Sequence, residues 1–183
     1  DEKHPGISIG CDNFQGGESI TQHLISQGKT TFAFIGDNGD HAPEFKARFT
    51  GYYRTLLAHG LDKNSSQFDA ISTEDAGSEA IRGLIEAGEL PQAIVCASDL
   101  IAMGALRALR QAKIKVPDDV AVVGYDNIAV SAYTTPALTT VQQNTKLAGE
   151  LLVSALLKAI NNEEVDDYLM PAEVIVRQSC GSQ

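Results

Sequence analysis

Two side chains in this sequence are equipped to grip hydroxyls, and neither comes with the partners that bond-breaking requires. Asp126 stands two residues beyond Gly124, at the end of the apolar run 120–124. Such a run reads as a strand in the interior of a parallel sheet, and the carboxyl ends of parallel strands gather ligands in open α/β folds. A lone carboxylate there, with Tyr125 beside it, offers two acceptor oxygens. Arg48 opens the segment RFTGYYRTLL, and its planar guanidinium carries five donors that suit vicinal hydroxyls or a carboxylate. The two complement each other around a polyol. A structural Arg–Asp ion pair is the plainer alternative.

Motifs for catalysis fail on spacing. Gly28-Lys29-Thr30 has His23, not glycine, five residues before Gly28, so it is no phosphate loop. His4, His23, His41 and His59 stand at no metal-ligand spacing from each other or from cysteine. Ser19, Ser131 and Thr139 lack an evident base and the glycine pattern of a nucleophile elbow. Asp118–Asp119 follows Pro117 and reads as turn chemistry. The sequence supports a binding protein with no catalytic residue, no metal and no cofactor.

Bulk composition narrows the partners. At 183 residues the chain is long enough for one substantial core or two small lobes. A formal charge of −10 argues against this stretch gripping nucleic acid or an anionic membrane. Cys11, Cys96 and Cys180 are odd in number and scattered, which suggests reduced thiols in a reducing compartment. No signal-like run and no membrane span is present, so the expected location is cytoplasmic.

The elements that must position these residues alternate. Strands are expected at 6–11, 31–35, 66–71, 93–97, 120–124 and 173–177. Helices are expected at 16–27, 46–59, 76–87, 100–111 and 147–160, from apolar spacing and from the breaks at Gly28, Gly60 and Pro91. Alternating β and α units imply a doubly wound α/β fold with a parallel sheet. The first strand and the last helix–strand pair fall outside the five units from Thr31 to Val141. They look like fragments of a second lobe, with one sheet using every strand as the alternative.

The wording of the segments resembles the lactose-repressor (LacI/GalR) family of bacterial regulators. The resemblance rests on DNFQGG at 12–17, HLISQG at 23–28, ARFTGYYRTLLAHGL at 47–61, ASDLIAMGALRALR at 97–110, VPDDVAVVGYDN at 116–127 and TPALTTVQQ at 135–143. It implies a periplasmic-binding-protein-like fold: two lobes that close on a small effector, behind an N-terminal helix-turn-helix absent from this sequence. Residues 12–143 would form the complete C-terminal lobe, and 1–11 with 144–183 part of the N-terminal lobe.

The same resemblance assigns effector contacts to Arg48 and Asp126. Ser98 stands where many relatives carry an amide and has a shorter reach. Gln143, at the crossover between lobes, could read a ring hydroxyl or be a plain hinge residue. Phe14 could stack on a sugar ring or simply pack in the core. Ser72 falls where some relatives place a stacking aromatic, which weakens any claim for a purine. Leu100, Ile101, Met103, Gly104 and Tyr133 correspond to the family's dimer contact, although one face of that helix must pack on its own domain. The implied function is sensing of a sugar or polyol by a homodimer that meets operator DNA through the absent head. A sugar-binding protein serving a transporter is the alternative, and an enzyme on the same fold has no residue constellation in its favour.

Overall fold

A computed structural model describes residues 7–37 and 39–181 of the chain. The expected strand start at Gly6, and most of the fragment 1–11, lie outside the described residues. The elements run β1 (Ile9–Cys11), α1 (Asn13–Ser26), β2 (Phe32–Ile35), α2 (Pro43–Ala58), β3 (Ser65–Phe68), α3 (Glu74–Ala87) and β4 (Ala93–Cys96). Then follow α4 (Asp99–Gln111), β5 (Ala121–Asp126), β6 (Thr139–Gln142), α5 (Thr145–Ile160), β7 (Tyr168–Met170) and β8 (Glu173–Ile175). Short 3-10 turns at Asp62–Asn64, Ala129–Tyr133 and Gln178–Cys180 complete the described set.

Six strands form one sheet in the order β3-β2-β4-β5-β6-β8. The first five are parallel, and β8 joins β6 antiparallel, with Val141 opposite Val174. The order reverses between β2 and β4, so this is a doubly wound sheet with its switch point there. Phe32, Phe34, Ile35, Ile94, Val122 and Val123 are completely or almost completely buried, because both faces are covered. Helices α1 and α2 pack together, as do α3 and α4.

Side chains mark the helix starts. Asp12 accepts from the Gln15 amide at 2.8 Å, Thr73 from Ala76 at 3.2 Å and Asn144 from Leu147 at 3.0 Å. Each satisfies one of the donors a first turn leaves unpaired. Helix α2 begins earlier than its apolar spacing suggests, because Pro43 supplies the first helical φ without needing a donor.

Two expectations change. Strand β5 does not end at Gly124: Tyr125 and Asp126 stay paired with Val141 and Gln142 of β6. The return of 144–183 to the other lobe is incomplete, since β8 closes the edge of the large sheet. Ahead of it, β1 and β7 pair in parallel as a separate two-stranded sheet. Helix α5 packs against β1 but leaves Leu152, Val153, Leu156, Leu157 and Ile160 exposed, together with Leu169 of β7.

The expected dimer residues divide. Gly104 and Ile101 face α3 within the chain. A Cβ at Gly104 would run into the Glu74 carbonyl, and Ser78 Oγ donates to the Gly104 carbonyl at 2.9 Å. Ile101 is fully buried, with its carbonyl against Gly77. Gly77 and Gly104 permit the close α3–α4 approach, and Gly104 and Ile101 are buried within the chain. Leu100 and Met103 are half-buried and Tyr133 is 85% exposed.

Candidate functional site

Beside the switch point, the carboxyl ends of β4, β5 and β6 bring Arg48, Asp126 and Gln143 together. Arg48 reaches there from α2 because α1 lets α2 come close: a Cβ at Gly17 would strike the Arg48 carbonyl. The Arg48 guanidinium lies over the Tyr125 ring, 3.7 Å from its centroid. Its Nε donates to Asn13 Oδ1 at 2.9 Å and its Nη1 to the Ala97 carbonyl at 2.5 Å. Nη1 also stands 3.4 Å from Asp126 Oδ1. Gln143 Nε2 donates to the same carboxylate oxygen at 2.6 Å.

The pair is asymmetric in exposure. The Arg48 side chain is 5% exposed and that of Asp126 31%, so the carboxylate is the member that solvent or ligand can reach. Burial pushes the Asp126 carboxyl up, against the opposing pull of Arg48 and Gln143. Burial likewise lowers Arg48, whose intrinsic basicity still keeps it a cation. Among the described residues none hydrogen-bonds Asp126 Oδ2 or Arg48 Nη2.

The backbone under Asp126 is strained. Asp126 has φ 110° and Asn127 φ 52°. Asparagine tolerates the left-handed region, but two consecutive positive values store on the order of 1–3 kcal/mol each unless the surroundings fix them. The surroundings do. Ile128 N donates to Asp99 Oδ2 at 2.9 Å, Asn127 N to Thr140 Oγ1 at 3.3 Å, and Asn127 Nδ2 to Gln142 Oε1 at 3.0 Å.

Asp99 lies in the first turn of α4, where Ser98 provides the cap through its hydroxyl. Fully buried, Asp99 takes hydrogen bonds from Thr140 Oγ1 at 2.5 Å and from Ile128 N. Burial lifts its carboxyl to about 6 in spite of those bonds. The folded protein therefore holds a proton there that the unfolded chain has released above its ordinary value of about 3.9. Stability is highest below that value and falls as pH rises to 6, by roughly 3 kcal/mol from this group. Asp99→Asn should flatten that segment: denaturant unfolding of both proteins between pH 4 and 7 should show the difference between them changing by roughly that amount. Parallel pH profiles would refute it.

The remaining expected site residues fall into two groups. Ser72 Oγ donates to Ser98 Oγ at 2.8 Å, and Ser98 follows the Ala97 carbonyl that Arg48 holds. Ser98 is buried and its hydroxyl is occupied, whereas Ser72 is exposed. Phe14 follows Asn13, the residue that accepts from Arg48 Nε. It lines a cavity of about 310 Å³ with Asn13, Pro43, Glu44, Ala47 and Leu169, under the Arg54 guanidinium. Sequence reasoning missed Asn13, Asn127 and Arg177. Asn13 directly follows a capping aspartate, which is a usable signal; the other two carry none.

Comparison with known proteins places the chain in a family. The profile of the periplasmic binding protein-like domain family matches residues 21–180. The HTH-type transcriptional regulator RegA of Clostridium saccharobutylicum is 36% identical over 177 residues, covering 94% of this chain and 53% of RegA. The HTH-type transcriptional repressor PurR of Aliivibrio salmonicida is 32% identical over 168 residues, covering 90% of this chain and 50% of that protein. The structure of the transcriptional regulator CelR in complex with cellobiose superposes with a TM-score of 0.84 at 34% identity, covering 94% of this chain and 54% of CelR. The chain spans about half the length of the curated relatives it matches. By sequence and by fold, it belongs to the periplasmic binding protein-like domain family, in the form found in regulators of the lactose-repressor type.

Proposed function

We propose that this chain is the effector-sensing part of a cytoplasmic transcription regulator controlled by a sugar or polyol. The observation that carries the reading is the Arg48–Asp126–Gln143 cluster, where one reachable carboxylate and one stacked guanidinium each keep an atom free for a hydroxyl. Such a group binds and orients. Residues 12–143, extended by β8, form one wall of the effector cleft. The paired strands β1 and β7 with α5 belong to the opposite lobe, whose remainder would cover the exposed α5 face. Support for a sugar comes from the cellobiose bound by CelR.

In this reading the effector favours the closed arrangement through its greater affinity for it, and so biases a homodimer between two DNA affinities. Leu100, Met103 and Tyr133 supply part of that dimer surface. Operator contact belongs to a separate head, as the HTH-type names of the relatives suggest. The chain acts as a binding module and not as an enzyme.

A thermal-shift screen of the full-length protein against sugars, polyols, nucleosides and purines, followed by titration calorimetry of any hit, tests the proposal. A sugar or polyol hit is expected, weakened in Asp126→Ala by about 1.5–3 kcal/mol, the scale of a hydrogen bond to a charged group. Affinity unchanged in the variant would remove Asp126 from the site. A folded protein that responds to no sugar or polyol would sink the effector class.

A further inference from the structure

Arg177 is a half-buried cation that makes no ion pair among the described residues. Its guanidinium is spent on neutral acceptors instead. Nη2 donates to Asn127 Oδ1 at 2.7 Å, and Nη1 to the Leu138 carbonyl at 2.7 Å and to Ser131 Oγ at 3.1 Å. Its backbone amide donates to Thr139 Oγ1 at 2.9 Å. The residue is held from both sides. β8 precedes it, and after it Ser179 Oγ donates to the Val122 carbonyl while accepting from the Thr139 amide.

A half-buried guanidinium is best held where its donors meet well-placed acceptors, and this one also lies near enough to the Asp99 carboxylate to act on it through charge. Its hydrogen bonds converge on the loop after β5, at the residue next to Asp126. That loop carries the two consecutive positive φ angles. Its other ties come from Asp99, Thr140 and Gln142 of α4 and β6, and from Ser131, whose backbone amide and hydroxyl donate to the Ile128 carbonyl at 2.9 and 2.7 Å. Arg177 alone among these ties arrives from the returning C-terminal segment, and it also grips Ser131 in the turn that leads to exposed Tyr133.

We infer that Arg177 is a positioning residue: through Asn127 it fixes the strained loop that aims Asp126 at Arg48 and Gln143, and it joins that loop to the Ala129–Tyr133 turn. The inference rests on the effector-site reading above but makes its own prediction about the loop. Arg177 bonds neither Asp126, Arg48 nor Gln143, so its effect on that cluster runs through Asn127.

The test uses the full-length protein with cellobiose and D-ribose as probes, and wild type, Arg177→Ala, Arg177→Lys, Asn127→Ala and the Arg177→Ala/Asn127→Ala pair. Calorimetry is run at a temperature where circular dichroism shows every variant folded. Arg177→Ala should weaken binding at least tenfold, and Arg177→Lys should recover part of it. The double variant should bind no worse than the weaker single, because both act along one path. Unchanged affinity in Arg177→Ala, or strictly additive losses, would overturn the inference.

Amide hydrogen exchange on the unliganded protein separates the two readings. Asn127 and Ile128 should exchange at least tenfold faster in Arg177→Ala, with the amides of α3 unchanged. If wild type binds neither probe, this arm decides alone. Faster exchange confined to the loop supports the positioning role, and unaltered or uniformly faster exchange defeats it.

Discussion

Arg48→Ala is expected to lower unfolding free energy by about 3 kcal/mol and effector affinity by at least about tenfold, the scale for removing one partner of a buried charge pair. Both losses come from one side chain doing three jobs. The guanidinium covers the Tyr125 ring, satisfies Asn13 and the Ala97 carbonyl, and faces Asp126. Truncation removes the donors that Asn13 Oδ1 and the Ala97 carbonyl use and leaves Asp126 only its bond from Gln143 and solvent. Arg48→Lys separates the roles. A lysine keeps the positive charge but lacks the planar fork that holds Asn13 and Ala97 together. It should therefore restore part of the ion pairing and little of the stability. Denaturant unfolding and calorimetry on the three proteins check this. An Arg48→Ala protein of wild-type stability would mean that the guanidinium does not order the cleft.

Gly104→Asp should unfold the protein before it alters any assembly. A Cβ at this position meets the Glu74 carbonyl, and a carboxylate would be driven between α3 and α4, where Ser78 already uses the local acceptor. Overpacking costs about 1–3 kcal/mol, and an unpaired buried charge adds more. Gly104→Ala isolates the first component and should sit within that range. The checks are the unfolding midpoint and sedimentation at native conditions. A protein of unchanged stability but halved mass would return Gly104 to the subunit interface.

That reversal shows where the chain is legible and where it is not. A small residue on a helix permits close approach, but periodicity does not say to what. Gly104 and Ile101 read as surface from the resemblance, and the sheet geometry turned them inward. The strand that carries Asp126 was legible from its apolar run, although it continues through Asp126 instead of ending at Gly124. Arg48 was legible from its chemistry together with the family wording around it.

Asn127 and Arg177 were not legible, since they meet across 50 positions of chain and neither sits in a pattern with a period. Asp99 resembled an ordinary helix start. Its link to Thr140, 41 positions on, is a product of the sheet order. The antiparallel sense of β8 was equally hidden, because three residues, Glu173–Ile175, carry no turn signal that sets direction. Local pattern gave elements and strand ends, while contacts between distant elements needed the fold.

Strand β8 has a consequence for how this chain is made. The five parallel strands are complete once Gln142 has been synthesised, yet β6 then presents a bare edge whose residues Thr139 to Val141 are fully buried in the finished structure. Unpaired backbone on such an edge is a template for pairing with another chain. The edge stays open on the ribosome while the next 30 residues, from Gln143 to Ala172, are added. A nascent chain stalled there, or a product cut before Glu173, is thus the form most exposed to aggregation, and the last strand acts as its guard.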